Sequence, residues 1–365
     1  MRDGRMQPQR HCPSSGPVEP TGPSRTLSLE GRCWRGSPDI GPGIGEQSVI
    51  LVTGATGFLG GRVVRELHRQ GREVCAVGRA ARPLARLKQE GIPVMRADLS
   101  AGIPGDLVPT AIIHCAGLSD PYGPASAFET ANVATTRVLL DLARRSGAER
   151  FVFVSTPAVY WRAADQVAVR EDTRLPQAVN RYAETKRRAE ALVLSARYLS
   201  PVVLRPRAIY GRGERTLLPR LERAARRGPL PLMRGGWAVT DLTHVDDAVA
   251  ACIAALDAKE LQGSPVFNIS GGTPLSVREV IERVCERRRL PLRWRPMPVP
   301  FAMAAARVLT GLSALGGYRS EPRATRYSVG ALAYSQTLDI TRAADRLGWR
   351  PKIGFEDGLD EALGA

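Results

Sequence analysis

Short runs of hydrophobic residues recur through the first half of the chain, each followed by a stretch with helical spacing. Ser48-Val-Ile-Leu-Val52 is the first. Such near-continuous apolar runs mark strands covered on both faces. Arg62-Val-Val-Arg-Glu-Leu67 follows with apolar residues at helical spacing. Glu73–Val77, Ile92–Leu99, Thr110–Gly117 and Glu149–Thr156 predict four further strands, with helical stretches between them. Alternating strands and helices predict an α/β fold, a Rossmann-type doubly wound parallel sheet with its ligand at the carboxyl ends of the strands. In the second half, helices are predicted near 216–227, 246–258, 276–289 and 341–347. Pro298–Leu315 is apolar and helical in character, interrupted by Arg307 and too short for a membrane span. It reads as a lid or core helix, as an apolar wall for a greasy substrate, or as an interfacial segment in peripheral contact with a membrane.

The first strand runs directly into Thr53-Gly-Ala-Thr-Gly-Phe-Leu-Gly60. Gly54, Gly57 and Gly60 thus fall between a strand and a helix. Gly54 allows the tight turn, Gly57 lets the backbone approach a pyrophosphate, and Gly60 lets the helix pack close to the strand. The helix N-terminus then offers free N–H groups to the phosphates. A dinucleotide site is predicted; the bland alternative is a glycine-rich turn that binds nothing. Val77-Gly-Arg79-Ala-Ala-Arg82, after the second strand, lacks the acid that takes a ribose 2′-OH. Arg79 suits a 2′-phosphate, so NADP is favoured over NAD. A solvated Arg79 in an arginine-rich protein is the plain alternative. Asp98, ending the third strand, is placed to meet an adenine edge.

Tyr182 and Lys186 lie four apart in Asn180-Arg-Tyr-Ala-Glu-Thr-Lys186, where a helix begins. The chain holds 52 Lys+Arg, yet its only lysines are Lys88, Lys186, Lys259 and Lys352. Residues four apart share a helix face. An ammonium beside a phenol favours the phenolate, so the Tyr182 pKa is expected below its usual value of about 10. Such a phenol is a general acid/base for a carbonyl/alcohol couple. An incidental surface pair is the alternative, which the preceding motifs make the weaker one.

The chain resembles the extended short-chain dehydrogenase/reductase family, within the NAD-dependent epimerase/dehydratase superfamily. The matching residues are Thr53–Gly60, Asp98-Leu99, His114-Cys-Ala-Gly117, Val154-Ser-Thr-Pro-Ala-Val-Tyr160, Tyr182-x-x-x-Lys186 and Leu204-Arg-Pro-Arg-Ala-Ile-Tyr-Gly211. They cover about residues 48–211 in family order. Arg205–Pro219, Asp241–Asp247 and Thr325–Pro351 resemble its 3β-hydroxysteroid dehydrogenase-like branch. The resemblance implies that Tyr182 passes a proton to or from the substrate oxygen and that Lys186 holds the nicotinamide ribose. Thr156, with Ser155 as the neighbouring alternative, would hydrogen-bond the reacting carbonyl; Pro157 is slightly unusual there. Asn132 would be a structural or proton-relay residue, or else a helix N-cap. Dinucleotide contacts are implied for Gly54, Thr56, Gly57, Phe58, Leu59, Gly60, Arg79, Asp98, Leu99, Cys115, Ala116, Gly117, Ser155, Lys186 and Pro206. The expected organisation is a disordered extension over 1–47, an NAD(P)-binding domain over 48–211, and a smaller, mainly substrate-binding lobe over 212–365. Some segments of that lobe return to the first domain. A homodimer is implied by analogy alone.

Composition bounds the remainder. Residues 1–47 are rich in Pro, Gly, Ser and Arg with no apolar period. They read as disordered, or as sequence upstream of a later start such as Met6. They lack the apolar core of a secretory signal, and their five acids speak against a transit peptide. With six arginines against those five acids, the tail contributes little to the net charge of +16. The scattered basic residues carry no recognition helix, zinc spacing or stacking platform, so no nucleic-acid partner is expected. Cys12, Cys33, Cys75, Cys115, Cys252 and Cys285 form no Cys-x-x-Cys pair, which fits reduced thiols in a cytoplasmic protein. His11, His68, His114 and His244 show no ligand spacing, so no metal is expected. The residues and the resemblance together point to an NAD(P)-dependent oxidoreductase. It would interconvert a hydroxyl and a ketone on a small apolar substrate, steroid-like or of the β-keto/hydroxy acid kind. A nucleotide-sugar epimerase or dehydratase that retains NAD is the alternative. A non-catalytic dinucleotide-binding protein fits less well with Thr156, Tyr182 and Lys186 all present.

Overall fold

A computed structural model of the chain describes residues 49–364 apart from 104–106, 121, 260, 262–264, 319–321 and 323. The expected disordered extension over 1–47, with Cys12, Cys33 and His11, lies outside the described residues. The five predicted strands form within three residues of their expected bounds: β1 (Ile50–Thr53), β2 (Val74–Gly78), β3 (Val94–Arg96), β4 (Ala111–His114) and β5 (Arg150–Val154). Two more, β6 (Pro201–Pro206) and β7 (Val266–Ile269), complete a parallel sheet of order β7-β6-β5-β4-β1-β2-β3. The chain order runs outward from β1 on both sides, so a crevice opens at the carboxyl ends of β1 and β4.

Alternation along the strands divides the core into two layers. Ile50 and Val52 face one layer and Leu51 the other. Helices α1 (Phe58–Arg69) and α2 (Ala81–Gln89) lie on the first layer, and α3 (Thr135–Ser146) and α4 (Arg181–Ser195) on the second. Val63, Val64 and Leu67 form the buried stripe of α1, while Leu139, Leu140 and Ala143 do the same for α3.

The expected helices of the second half are α5 (Leu217–Arg227), α6 (Val245–Asp257), α7 (Val277–Arg287) and, after two more, α10 (Thr341–Leu347). Helix α6 joins the first layer beside α1. A capping box starts α7: Ser276 Oγ accepts from the Glu279 N–H at 3.1 Å, and the Glu279 carboxylate accepts from the Ser276 N–H at 2.8 Å. A small second sheet joins Leu275–Ser276, Val239–Thr240, Gln336–Leu338 and Gln166–Val169 in that order. The two halves interleave: Gln166–Val169 pairs with this second sheet, and β7 belongs to the main one.

The apolar stretch after Pro298 forms α8 (Val299–Leu315), followed by α9 (Arg326–Ala333). The core-helix alternative for it does not hold. Only the small Ala302 and Ala306 are buried, against Val329 and Ala333 of α9, while Phe301 is 66%, Leu312 62% and Leu315 87% exposed. Just past the helix, the Tyr318 ring lies 5.0 Å from that of Tyr122 in the loop after β4. Among the described residues no helix is long and apolar enough to cross a membrane.

Candidate active site

The strand-to-helix turn at the crevice is a cradle of backbone. Gly54 has φ +70°, and a Cβ there would lie 2.7 Å from the Ala116 nitrogen. A Cβ on Gly60 would lie 2.5 Å from the Gly54 carbonyl oxygen. Helix α1 begins at Gly57 with no side-chain cap and no acid in its first turn. Its first N–H groups therefore remain available to an anion, and the cradle fits a dinucleotide pyrophosphate. Thr56 rests on Gly78 at the end of β2, and Phe58 and Leu59 open α1 beside it. Buried hydrogen bonds pin the floor: Thr53 Oγ1 to His114 Nδ1 (2.8 Å), His114 Nε2 to Thr136 Oγ1 (3.1 Å), and the Ala116 N–H to Thr53 Oγ1 (3.3 Å). Burial, aided by the Lys186 charge, pulls the His114 imidazole down to about 3, so it is a neutral structural group.

Arg79 is exposed beyond β2, where no acid follows the strand, and its charge reaches the Asp98 carboxyl past β3. Arg96 donates from Nε to the Arg79 carbonyl at 3.2 Å, so a second guanidinium, which the sequence reading passed over, gathers at the same strand ends. Asp98 is also exposed. It accepts from the Ser100 hydroxyl (2.7 Å) and N–H (3.0 Å), which hold its carboxyl below the usual range. Leu99 is buried beside it. Cys115, Ala116 and Gly117 leave the ladder after β4 and face the crevice, and Pro206 ends β6 across from Ile269. The Cys115 thiol meets that of Cys252 on α6, both unbridged.

Helix α4 brings Tyr182 and Lys186 to this crevice. Asn180 caps it, its Oδ1 accepting from the Ala183 N–H at 2.9 Å. Tyr182, Lys186 and Glu190 then fall on one face, a turn apart. Tyr182 is half-buried and hydrogen-bonded by the Thr156 side chain. Thr156 itself caps the short 3₁₀ turn Pro157–Tyr160 by accepting from the Ala158 N–H at 3.2 Å. Lys186 is 5% exposed; its Nζ donates to the Val154 carbonyl at 2.6 Å and lies 4.2 Å from the Phe153 ring centroid. Burial draws Lys186 down to about 8, against the opposing charge of Glu190.

The phenol departs from expectation. Burial pushes Tyr182 up from its ordinary value, the Thr156 bond offsets only part of this, and nearby Tyr327 and Glu190 add to the rise. One Lys186 N–H is held by the Val154 carbonyl, and burial, opposed by the Thr156 bond, rather than the ammonium, sets the direction in which the phenol moves. Asn132 is neither an N-cap nor the first residue of its helix. It sits inside a π-helical turn, Glu129–Ala134, that runs on into α3. Its side chain accepts from the Leu118 N–H (2.8 Å) and donates to the Leu118 carbonyl (3.1 Å) and Thr185 Oγ1 (3.0 Å). It thereby ties the loop after β4 to the Tyr182 helix, the kind of place where π-turns gather.

A buried polar chain lies behind this centre, and sequence reasoning missed it. Ser155 is turned away from the crevice and donates to Glu190. Arg205 donates to the same carboxylate from Nε (2.9 Å) and Nη2 (2.6 Å). It also donates to the Tyr160 hydroxyl, which donates to Asn268 Oδ1 at 3.0 Å. The visible signal was a charged residue inside the buried strand β6, which demands a buried partner.

One cluster runs against the histidine spacing argument. His244, Asp246 and Glu361 place candidate ligand atoms within 4.8 Å of one another. Arg62 already bridges the two acids, at 2.7 and 3.3 Å.

A glycine cradle at the switch point of a doubly wound sheet, with a Tyr-Thr-Lys group beside it, defines a dinucleotide-dependent enzyme class. The chain belongs to the NAD dependent epimerase/dehydratase family, whose profile matches residues 50–270. It is 32% identical over 333 residues to the 2-alkyl-3-oxoalkanoate reductase of Stenotrophomonas maltophilia, covering 85% of this chain and 97% of that protein. It is 25% identical over 340 residues to the sterol-4-alpha-carboxylate 3-dehydrogenase of Candida albicans, covering 86% and 96%. Among solved structures, MoeE5 in complex with UDP-glucuronic acid and NAD superposes with a TM-score of 0.67 at 27% identity, over 87% of this chain and 98% of that one.

Proposed function

We propose that the protein is an NAD(P)-dependent ketoreductase, favouring NADP(H), that acts on an apolar β-keto acid-like or steroid-like substrate. The observation that carries this reading is the meeting of the Tyr182 phenol and the Thr156 side chain at the carboxyl end of β5, with Lys186 one turn deeper. A ketone oxygen set between the two hydroxyls receives two hydrogen bonds, and Tyr182 surrenders its proton as the carbinol forms. The bound nicotinamide supplies the hydride. A phenol raised by burial is fully protonated at neutral pH, the state needed to donate to a ketone. Lys186 positions the cofactor ribose beside it.

Arg79 and Arg96 at the ends of β2 and β3, with no acid following β2, support a 2′-phosphate there, although Asp98 lies close enough to feel the Arg79 charge. The apolar outer face of α8, reaching the loop after β4, supports entry of a greasy substrate from that side or from a lipid surface. Relatives named as a 2-alkyl-3-oxoalkanoate reductase and a sterol-4-alpha-carboxylate 3-dehydrogenase point the same way. A nucleotide-sugar epimerase is the second reading, favoured by the likeness to MoeE5.

Binding of NADPH and NADH to the purified protein, with the cofactor released from protein as isolated identified, separates the two. Exchangeable NADPH bound about tenfold or more tighter than NADH supports the reductase. Tightly retained, non-exchanging NAD sinks it.

A further inference from the structure

Two arginines stand two apart where β6 leaves the main sheet, and their surroundings differ. Arg205 is clamped by the Glu190 carboxylate. Arg207, just past the strand end, is 6% exposed and takes part in no ion pair among the described residues. Its Nη2 donates to Thr240 Oγ1 at 3.1 Å, and the guanidinium also donates to the Tyr327 phenol. Its Nε–H is buried with no acceptor. Asp241 is the acid nearest in effect; its Oδ2 is taken by the Ser270 hydroxyl (2.7 Å) and the Gly272 N–H (3.1 Å), and its Oδ1 is buried without a partner and forms no ion pair with the guanidinium. Asp241 therefore offsets part of the charge and leaves the donor free. An unpaired donor on a buried cation costs several kilocalories per mole, so folding stability alone does not account for it.

The place of this arginine gives the cost a use. Arg207 lines a shallow pocket of mixed character, with Trp161, Tyr327 and Tyr334 as its aromatic part and a second guanidinium, Arg162, among its polar residues. Strands β5 and β6 are neighbours with Val154 opposite Leu204, so Arg207 leaves the sheet beside Thr156, the hydrogen-bond partner of Tyr182. The backbone is strained next door: Ala208 has φ +40°, a conformation that costs a non-glycine residue about 1–3 kcal/mol.

We propose that Arg207 is the anchor for a carboxylate on the substrate, so that the ketone reduced at Tyr182 belongs to an acid rather than to a neutral steroid or ester. The acid's oxygen takes the free Nε–H, and its apolar chain lies against Trp161 and Tyr334. A guanidinium suits this task because its donors are fixed in a planar fork. The proposal rests on reduction at Tyr182 for its catalytic consequence, and its binding consequence stands apart from that reading.

The test uses the full-length protein with NADP⁺ and two non-reducible probes, decanoate and methyl decanoate, by calorimetry. Wild type is expected to bind decanoate at least about tenfold tighter than the ester. Arg207→Leu is expected to lose that preference while binding the ester as before, and Arg207→Lys to keep part of it. Melting temperatures of both variants verify folding; should Arg207→Leu not fold, the acid-over-ester ratio of wild type and of Arg207→Lys decides. In turnover, KM for a 3-oxo acid should rise at least about tenfold in the variant, with kcat and the KM of the matching 3-oxo ester nearly unchanged. Equal binding of acid and ester by wild type, or equal loss of both in Arg207→Leu, overturns the anchor. Absence of any ketone reduction, with the acid preference intact, overturns the reductase reading instead.

Discussion

Helix α1 is apolar along one side and α8 nearly all round, and they treat their apolar surface in opposite ways. Helix α1 buries Val63, Val64 and Leu67 completely against the sheet. Helix α8 buries two alanines and turns Phe301, Val308, Leu312 and Leu315 outward. The same contrast separates the two arginines at the end of β6, one paired and one not. Around the glycine turn, the main sheet covers its apolar groups, and the floor residues Thr53, His114 and Thr136 are hydrogen-bonded. At α8 and Arg207 the molecule keeps an uncovered apolar face and an unsatisfied cation, features that stability does not explain and that the proposed ligand would.

The largest break in this contrast should come from Tyr182, the proposed proton donor. Tyr182→Phe is expected to lower kcat for ketone reduction by about 10²–10⁴-fold, with NADPH binding kept, because only the proton donor is removed. Steady-state kinetics with saturating cofactor measures it; a loss below about tenfold would mean that another group gives the proton. Next comes the buried pair behind the site. Glu190→Gln leaves Arg205 buried and uncompensated, which should cost about 3–5 kcal/mol of stability in a denaturant titration. A cost under about 1 kcal/mol would mean that water reaches this pair.

A smaller effect follows from Lys186. Its folded pKa lies near 8, below the unfolded value of about 10.5. Between those two values the unfolded chain binds more protons, so this group's contribution to stability rises as pH climbs from about 8 to 10.5. Lys186→Met should remove that rise, read as the difference in melting temperature between variant and wild type across the window. The opposite slope would place the lysine in a charged, well-paired setting. Least of all, Leu312→Ser on α8 should shift stability by no more than about 0.5 kcal/mol, because the side chain is already in water. It should nonetheless raise KM for long-chain substrates over short ones. A stability loss of several kilocalories would show that a partner surface covers α8.

The same division explains what was legible in the sequence. Runs such as Val49–Val52, and glycines at 54, 57 and 60, announce a buried parallel strand and a phosphate turn, because local pattern and tertiary role coincide there. Tyr182, Thr156 and Lys186 were legible through their spacing and order. The titration of Tyr182 was not, since it depends on burial and on where the Lys186 ammonium points. Glu190 joins Ser155 and Arg205 across three elements, and no window of sequence contains that contact. Asn132 read equally well as an N-cap because a π-turn has no simple residue code. Apolar composition placed α8 as a helix but did not say which face meets water.

The central claim is that hydride and proton are delivered to a substrate ketone at Tyr182 and that the spent cofactor leaves. Single-turnover reaction of the protein with NADPH deuterated at C4 and a 2-alkyl-3-oxo acid tests it most directly. The account predicts one deuterium on the new carbinol carbon per turnover, with free NADP⁺ released in equal amount, and no transfer by Tyr182→Phe. Retention of a bound, non-exchanging cofactor, with the label returned only to a UDP-sugar, would contradict it.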